Sequence, residues 1–241
     1  SGQNVTGWNL LSLTSGNSTK GYYSTEFDTE NLEQGLHSLL VNVTDISYNY
    51  NDSSNTNFYV DNKAPSIQII TPITGSNHTN NITINISAED LLGVSSAYYR
   101  VVNSSGTVID WTALSLSSGS VFNGYWNASF DSSNIADNNY VIQTNITDLS
   151  ALSNNTEETN FTSDNNPPIG SFILPETNSN HSGIIEINLS INDFIGVSSA
   201  EFRILNSSQE PVSSYTPLSL SYGSVFSGYW NSTYQSSGKD G

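Results

Sequence analysis

The chain has 241 residues, with 22 acidic against 5 basic side chains and a formal net charge of −17. A surface of that sign repels phosphate backbones and anionic lipid, so nucleic acid and peripheral membrane binding are set aside. Cys and Met are both absent, which removes disulfide frameworks, thiolate chemistry and Cys-based zinc sites.

In chain order, the apolar residues keep a period of two rather than 3.6. Tyr23, Thr25 and Phe27 alternate with polar neighbours, as do His37, Leu39, Val41 and Val43, and Phe58 follows. Between Pro65 and Pro72 lies a first strand, where the prolines cost no central ladder bond. Ile82, Ile84 and Ile86 then share one face, with Asn81, Thr83, Asn85 and Ser87 on the other. Ala97, Tyr99 and Val101 follow, then Trp126, Ala128 and Phe130, then Tyr140, Ile142, Thr144 and Ile146, and Phe161 closes the series. After Pro168 and Pro175 the pattern restarts with Ile185, Ile187, Leu189 and Ile191, then Ala200, Phe202 and Ile204, then Trp230, Ser232 and Tyr234. The turns between are rich in Asn, Ser, Gly, Pro and Asp.

This is a repeat. Gly93-Val-Ser-Ser-Ala returns at Gly196, Asn42-Val-Thr-Asp as Asn145-Ile-Thr-Asp, and Asp61-Asn-Lys-Ala-Pro as Asp164-Asn-Asn-Pro-Pro, each 103 residues on. One residue inserted after Ser208 makes the Gly124-Tyr-Trp-Asn spacing 104. Residues 63–165 form one complete unit, 1–62 match the C-terminal part of a unit, and 166–241 match its N-terminal part. The phase predicts a window from a longer array. Half-domains completing one another between chains are the other arrangement, but 207–237 and 1–30 cover the same part of the unit and would leave surplus strand. A leader or anchor is expected to have been removed or to lie outside this segment, which opens at Ser1.

About seven short strands, each with one wet face, predict an all-β fold: tandem seven-stranded antiparallel β-sandwiches with a repeat of about 103 residues. The order of motifs is Asp-x-x-Ala/Pro-Pro, an Asp-x-x-Gly-Val turn (Asp90 to Val94; Asp193 to Val197), Tyr/Phe-Arg, Trp, Asn/Gly-x-Tyr/His, then Thr-Asp. This order resembles tandem Ig-like domains of bacterial and archaeal surface proteins, over the whole chain. The chain departs from the common pattern after Thr-Asp, where the usual Gly-Asn turn is replaced by Ile46-Ser-Tyr and Leu149-Ser-Ala. The resemblance implies stalks, adhesins, S-layer parts, filaments or spacers beside catalytic domains.

Asn-x-Ser/Thr occurs 16 times, where composition alone gives about eight or nine. Six sites recur in register: Asn42/Asn145, Asn51/Asn154, Asn77/Asn180, Asn85/Asn188, Asn103/Asn206 and Asn127/Asn231. Duplication explains part of this recurrence without any glycan. Covalent N-glycans are nonetheless expected on several of these asparagines, since Asn85, Asn188, Asn42 and Asn145 fall on polar strand faces. Sequon glycosylation implies an extracellular, cell-surface location, and dense sequons without Cys fit an archaeal source better than an animal one.

A second chemistry is carboxylate-based. In a seven-strand sandwich the entering linker and the loops after the second and sixth strands meet at one pole. That would gather Asp61, Asp90 and Asp148, with Asp164 and Asp193 repeating part of the set. Hard oxygen ligands suit Ca²⁺; the alternative is that each Asp caps its own turn.

No catalytic residue is assigned, and no enzyme activity is expected. The three histidines, His37, His78 and His181, do not form a metal or triad spacing: His37 replaces Tyr140, and the others are read as loop residues within sequons. Arg100 and Arg203 are expected to meet a carboxylate or an aromatic ring. Tyr22, Tyr125 and Tyr229 point away from the core, as surface, interface or sugar-binding residues. The expected function is a non-catalytic part of a glycosylated surface fibre, stalk or lattice, self-associating or meeting a cell-surface or glycan partner. An adhesin or carbohydrate-binding module, and a spacer within an exported enzyme, are the alternatives.

Overall fold

The computed structural model describes residues 6–236, almost entirely as strands and turns with one short 3₁₀ turn at Ser132–Asn134. Among these residues no helix is long and apolar enough to cross a membrane.

The middle unit shows how the alternation becomes a core. Along Asn81–Glu89, Ile82, Ile84 and Ile86 are buried while Asn81 and Thr83 face solvent. Asn123–Asp131 and Ser66–Thr71 pair antiparallel on its two sides, and Ser115–Gly119 completes a four-stranded sheet. The facing sheet runs Ser76–His78, Glu158–Ser163, Asn138–Asp148, Val94–Asn103 and Gly106–Ala113, with Ser153–Asn154 also paired to Asn138–Asp148. Within it, only Ser76–His78 against Glu158–Ser163 is parallel.

Ten strand segments thus stand where seven strands were expected, because three of the seven are each broken in two. The first breaks around the buried Pro72 and continues in the opposite sheet. Gly106–Ala113 crosses sheets at the buried Leu114, and Ser153–Asn154 precedes Glu158–Ser163. The first crossing also corrects one expectation: His78 closes a strand rather than lying in a loop.

The two sheets bury one another's inner faces. Tyr99, Val101, Tyr140, Ile142, Ile146 and Phe161 meet the Ile82–Ile84–Ile86 row and Trp126. Each such side chain contributes about 1.5–3 kcal/mol relative to exposure. A second core joins Ile187, Ile191, Val197, Phe202, Leu218 and Trp230 in the following unit. Residues 6–62 form two hairpins, Ser12–Gly16 with Gly21–Ser24 and Gly35–Thr44 with Tyr50–Val60. Phe27, just after the first hairpin, meets Phe58 of the second edge-on at 5.8 Å, and the apolar side chains here stay more open than in the middle unit; Leu39 is exposed.

The hairpin that precedes each core aromatic is copied in detail. Leu13 pairs with Tyr23, Leu116 with Trp126 and Leu220 with Trp230, and each pairing is followed by a register shift at the same place. Residues 61–65 and 164–168 carry no strand and separate the units.

Candidate site at the junction between units

Three carboxylates converge where the linker enters the complete unit. Asp61 follows the end of Tyr50–Val60, Asp90 follows Asn81–Glu89, and Asp148 ends Asn138–Asp148. One oxygen from each lies within 4.8 Å of the others. Asp148 is 2% exposed, Asp90 is buried and Asp61 is half-buried.

Asp90 and Asp148 are each fixed by their own local turn. Asp90 Oδ1 accepts from the backbone N–H of Leu92 (2.9 Å) and Gly93 (2.8 Å). That turn needs φ = +103° at Gly93, a conformation that side chains with a Cβ rarely adopt. Asp148 Oδ1 accepts from Leu152 N–H (2.9 Å), while its Oδ2 is buried without a hydrogen-bond partner. The two loops are tied by Leu149 N–H donating to the Gly93 carbonyl (3.1 Å) and by Ser95 Oγ donating to the Thr147 and Asp148 carbonyls. Asp61 is held from both sides: Gln34 Nε2 of the preceding unit donates to Oδ1, and Ser150 Oγ of the complete unit donates to Oδ2 (3.2 Å). Gln34, Lys63 and Asp90 also border one shallow depression at this junction.

The next junction repeats part of the set. Asp193 Oδ1 accepts from Ile195 (3.1 Å) and Gly196 (2.7 Å), with φ = +106° at Gly196. Burial, then the charge of Asp193, holds the Asp164 carboxyl above the usual range, and Asp137 adds to this. The Oδ1 of Asp164 is buried without a partner. Asp164 and Asp193 thus sit together as Asp61 and Asp90 do.

Gln34 and Ser150 were not picked out by sequence reasoning. The signal for Gln34 lies in the repeat, because its counterpart is Asp137, which stands beside Asp164. For Ser150 it lies in the turn that departs from Gly-Asn.

The twelve sequon asparagines that recur in register fall in three settings. Asn42, Asn51, Asn77, Asn127, Asn180 and Asn206 are exposed. Asn85, Asn145 and Asn188 are half-buried, each with its Oδ1 covered and without a hydrogen-bond partner. Asn103, Asn154 and Asn231 are also half-buried. Asn85 stands directly opposite Asn127 on the next strand, and Asn188 opposite Asn231, so sequons pair across the sheet.

Arg100 stacks over Trp111 at 4.8 Å and donates from Nε to Gln143 Oε1 (2.9 Å). Arg203 stacks over Tyr215, also at 4.8 Å. Tyr22, Tyr125 and Tyr229 are exposed.

Residues 65–143 match the family model described as a bacterial Ig domain. No curated protein matches the chain. Among solved structures, the chain is similar to the fibronectin(III)-like modules of Clostridium thermocellum CbhA, at 13% identity over 71% of this chain and 79% of that one, with a TM-score of 0.29. It is also similar to dimeric latent PorU from Porphyromonas gingivalis, at 12% identity over 89% of this chain, with a TM-score of 0.34. The chain spans only 22% of the length of PorU. The family match and the two facing sheets make the complete unit an Ig-like β-sandwich.

Proposed function

We propose that this chain is a non-catalytic, structural segment of an exported protein, a glycan-coated series of Ig-like units that gives reach and shape to a cell-surface fibre, stalk or lattice. The observation that carries the reading is the copied hairpin: the same pairing and the same register shift recur at Leu13/Tyr23, Leu116/Trp126 and Leu220/Trp230. Copying of a whole unit, bulge included, is what an array selects for, since each unit needs the same outline to stack in series.

The outer faces support the glycan coat. Exposed Asn42, Asn77, Asn127 and Asn180 are open to modification, and Asn85 and Asn145 lie on outward faces of their strands. A bulky sugar on Asn77, in the edge strand Ser76–His78, would block edge-to-edge pairing, a task for which lysines are scarce in this chain. The exposed, repeated Tyr22, Tyr125 and Tyr229 favour a second reading, in which the same units hold a sugar or a neighbouring chain against a tyrosine row.

Glycopeptide mass spectrometry of the protein from its native source tests the first reading. Hexose-bearing peptides containing Asn85 and Asn145 are expected; bare peptides at every sequon would remove the exported, coated array.

A further inference from the structure

We propose that Asp61, Asp90 and Asp148 form a calcium site that fastens the entering linker to the pole of the complete unit. Two independent observations meet there. The first is the convergence of three carboxylate oxygens within 4.8 Å, from a linker and two loops far apart in sequence. The second is Asp148 Oδ2, a buried carboxylate oxygen on a side chain 2% exposed, with no hydrogen bond to it. A buried charged atom without a partner is costly, and a cation at the trio is the simplest partner for it.

A turn-capping role accounts for both oxygens of the counterpart of Asp148 but for only one of Asp148's own. Asp45 occupies the same place one repeat earlier. There Oδ1 accepts from Ser47 N–H (2.8 Å) and Asn49 N–H (2.9 Å), and Oδ2 accepts from Asn49 Nδ2 (2.9 Å). Both oxygens are used by the turn. At Asp148 the residue in the place of Asn49 is Leu152, which supplies its backbone N–H alone. The second oxygen is left without a donor, and the carboxylates of Asp61 and Asp90, with oxygens within 4.8 Å of Asp148's, would repel its charge unless a cation stood between them.

The donor set selects the ion. All three ligands are hard oxygens, without His or Cys, which disfavours zinc and copper. Oxygens spread up to 4.8 Å apart fit around Ca²⁺, with bonds of about 2.3–2.6 Å, more readily than around Mg²⁺, which holds its ligands at about 2.0–2.1 Å. Asp61 is already bonded to Gln34 on one side and Ser150 on the other. A bound ion would therefore lock the preceding unit, the linker and the complete unit together. The site does not depend on the array reading: a chain that binds no calcium could still serve as a surface spacer.

Calorimetric titration of CaCl₂ into the 241-residue chain, with thermal unfolding alongside, tests this. Binding with a Kd of about 10⁻⁴–10⁻³ M is expected, the range of extracellular calcium modules. At ten times Kd, the unfolding temperature of the complete unit should rise by about 5–10 °C. Asp148→Asn keeps an acceptor for Leu152 N–H and should weaken binding at least about tenfold. Asp61→Asn, in the linker, should do the same and serves if the first variant fails to fold. MgCl₂ should bind more weakly. No calcium heat and no thermal shift, undiminished affinity in a folded variant, or equal affinity for Mg²⁺ would each overturn the assignment.

Discussion

The Tyr140 hydroxyl donates to the carbonyl oxygen of Ala136, four residues back, at 2.7 Å. One repeat earlier, His37 makes the equivalent contact from Nε2 to the Glu33 carbonyl, also at 2.7 Å. Each ring stacks on the phenylalanine of the neighbouring strand, Tyr140 on Phe161 and His37 on Phe58. A tyrosine bonded back to the chain a few residues upstream marks the corner where Ig-like sandwiches turn between sheets. Replacing Tyr140 with Phe keeps the ring and removes the bond. Urea unfolding should show a loss of about 1–2 kcal/mol; an unchanged midpoint would mean the corner is held by ring packing alone.

Asn154 should remain unmodified although it lies in a sequon. Its Nδ2, the atom a glycan would occupy, donates to the Pro65 carbonyl at 2.8 Å, and its Oδ1 accepts from Thr156 N–H (3.0 Å) and Oγ1 (2.8 Å). The side chain thus ties the last hairpin to the entrance of the unit. Site-resolved glycopeptide spectra should show Asn154 bare while exposed sequons carry sugar. Asn154→Ala should cost about 1 kcal/mol in unfolding measurements. A glycan found on Asn154 would show that this bond does not protect it.

His78 makes stability depend on pH. Burial holds its imidazole below the ordinary value of 6.5, and the ring sits 2.7 Å from Ser76 Oγ and edge-on to Phe161. The folded state therefore binds fewer protons at this residue than the unfolded chain does. Its contribution is complete above the unfolded value and is lost as pH falls from 6.5 through the lower folded value. Unfolding midpoints between pH 7.5 and 5 should decline for the native chain and decline less for His78→Gln. Parallel profiles for the two would contradict this.

Gly124 is required by close approach rather than by its backbone angle. A Cβ there would lie 2.4 Å from the Ser120 carbonyl oxygen and 2.7 Å from Leu116 Cδ1. The same contacts surround Gly21 and Gly228 in the copied hairpins. Gly124→Ala should destabilise the unit by about 1–3 kcal/mol through overpacking. An unchanged thermal unfolding curve would show that the hairpin relaxes freely.

Most of the sandwich was legible because burial follows the parity of the strand. Ile82, Ile84 and Ile86, and Tyr140, Ile142 and Ile146, announce their inner face at every second position. The breaks were harder to see. Nothing in the alternation shows that the chain leaves one sheet near Pro72 and re-enters the other as Ser76–His78, because the parallel pairing with Glu158–Ser163 joins residues some eighty-five positions apart in sequence. The grouping of Asp61, Asp90 and Asp148 followed from the repeat and from which loops share a pole. Their supports did not, since Gln34 reaches across a junction and carries no motif. Arg100 was expected to meet a carboxylate or a ring, and the ring is Trp111.

Electron microscopy of the source cells, with gold-labelled antibody to residues 63–165, tests the structural role most directly. Label should follow an ordered surface fibre, lattice or projecting stalk outside the cell envelope. Label confined to the cell interior, away from any extended assembly, would contradict it.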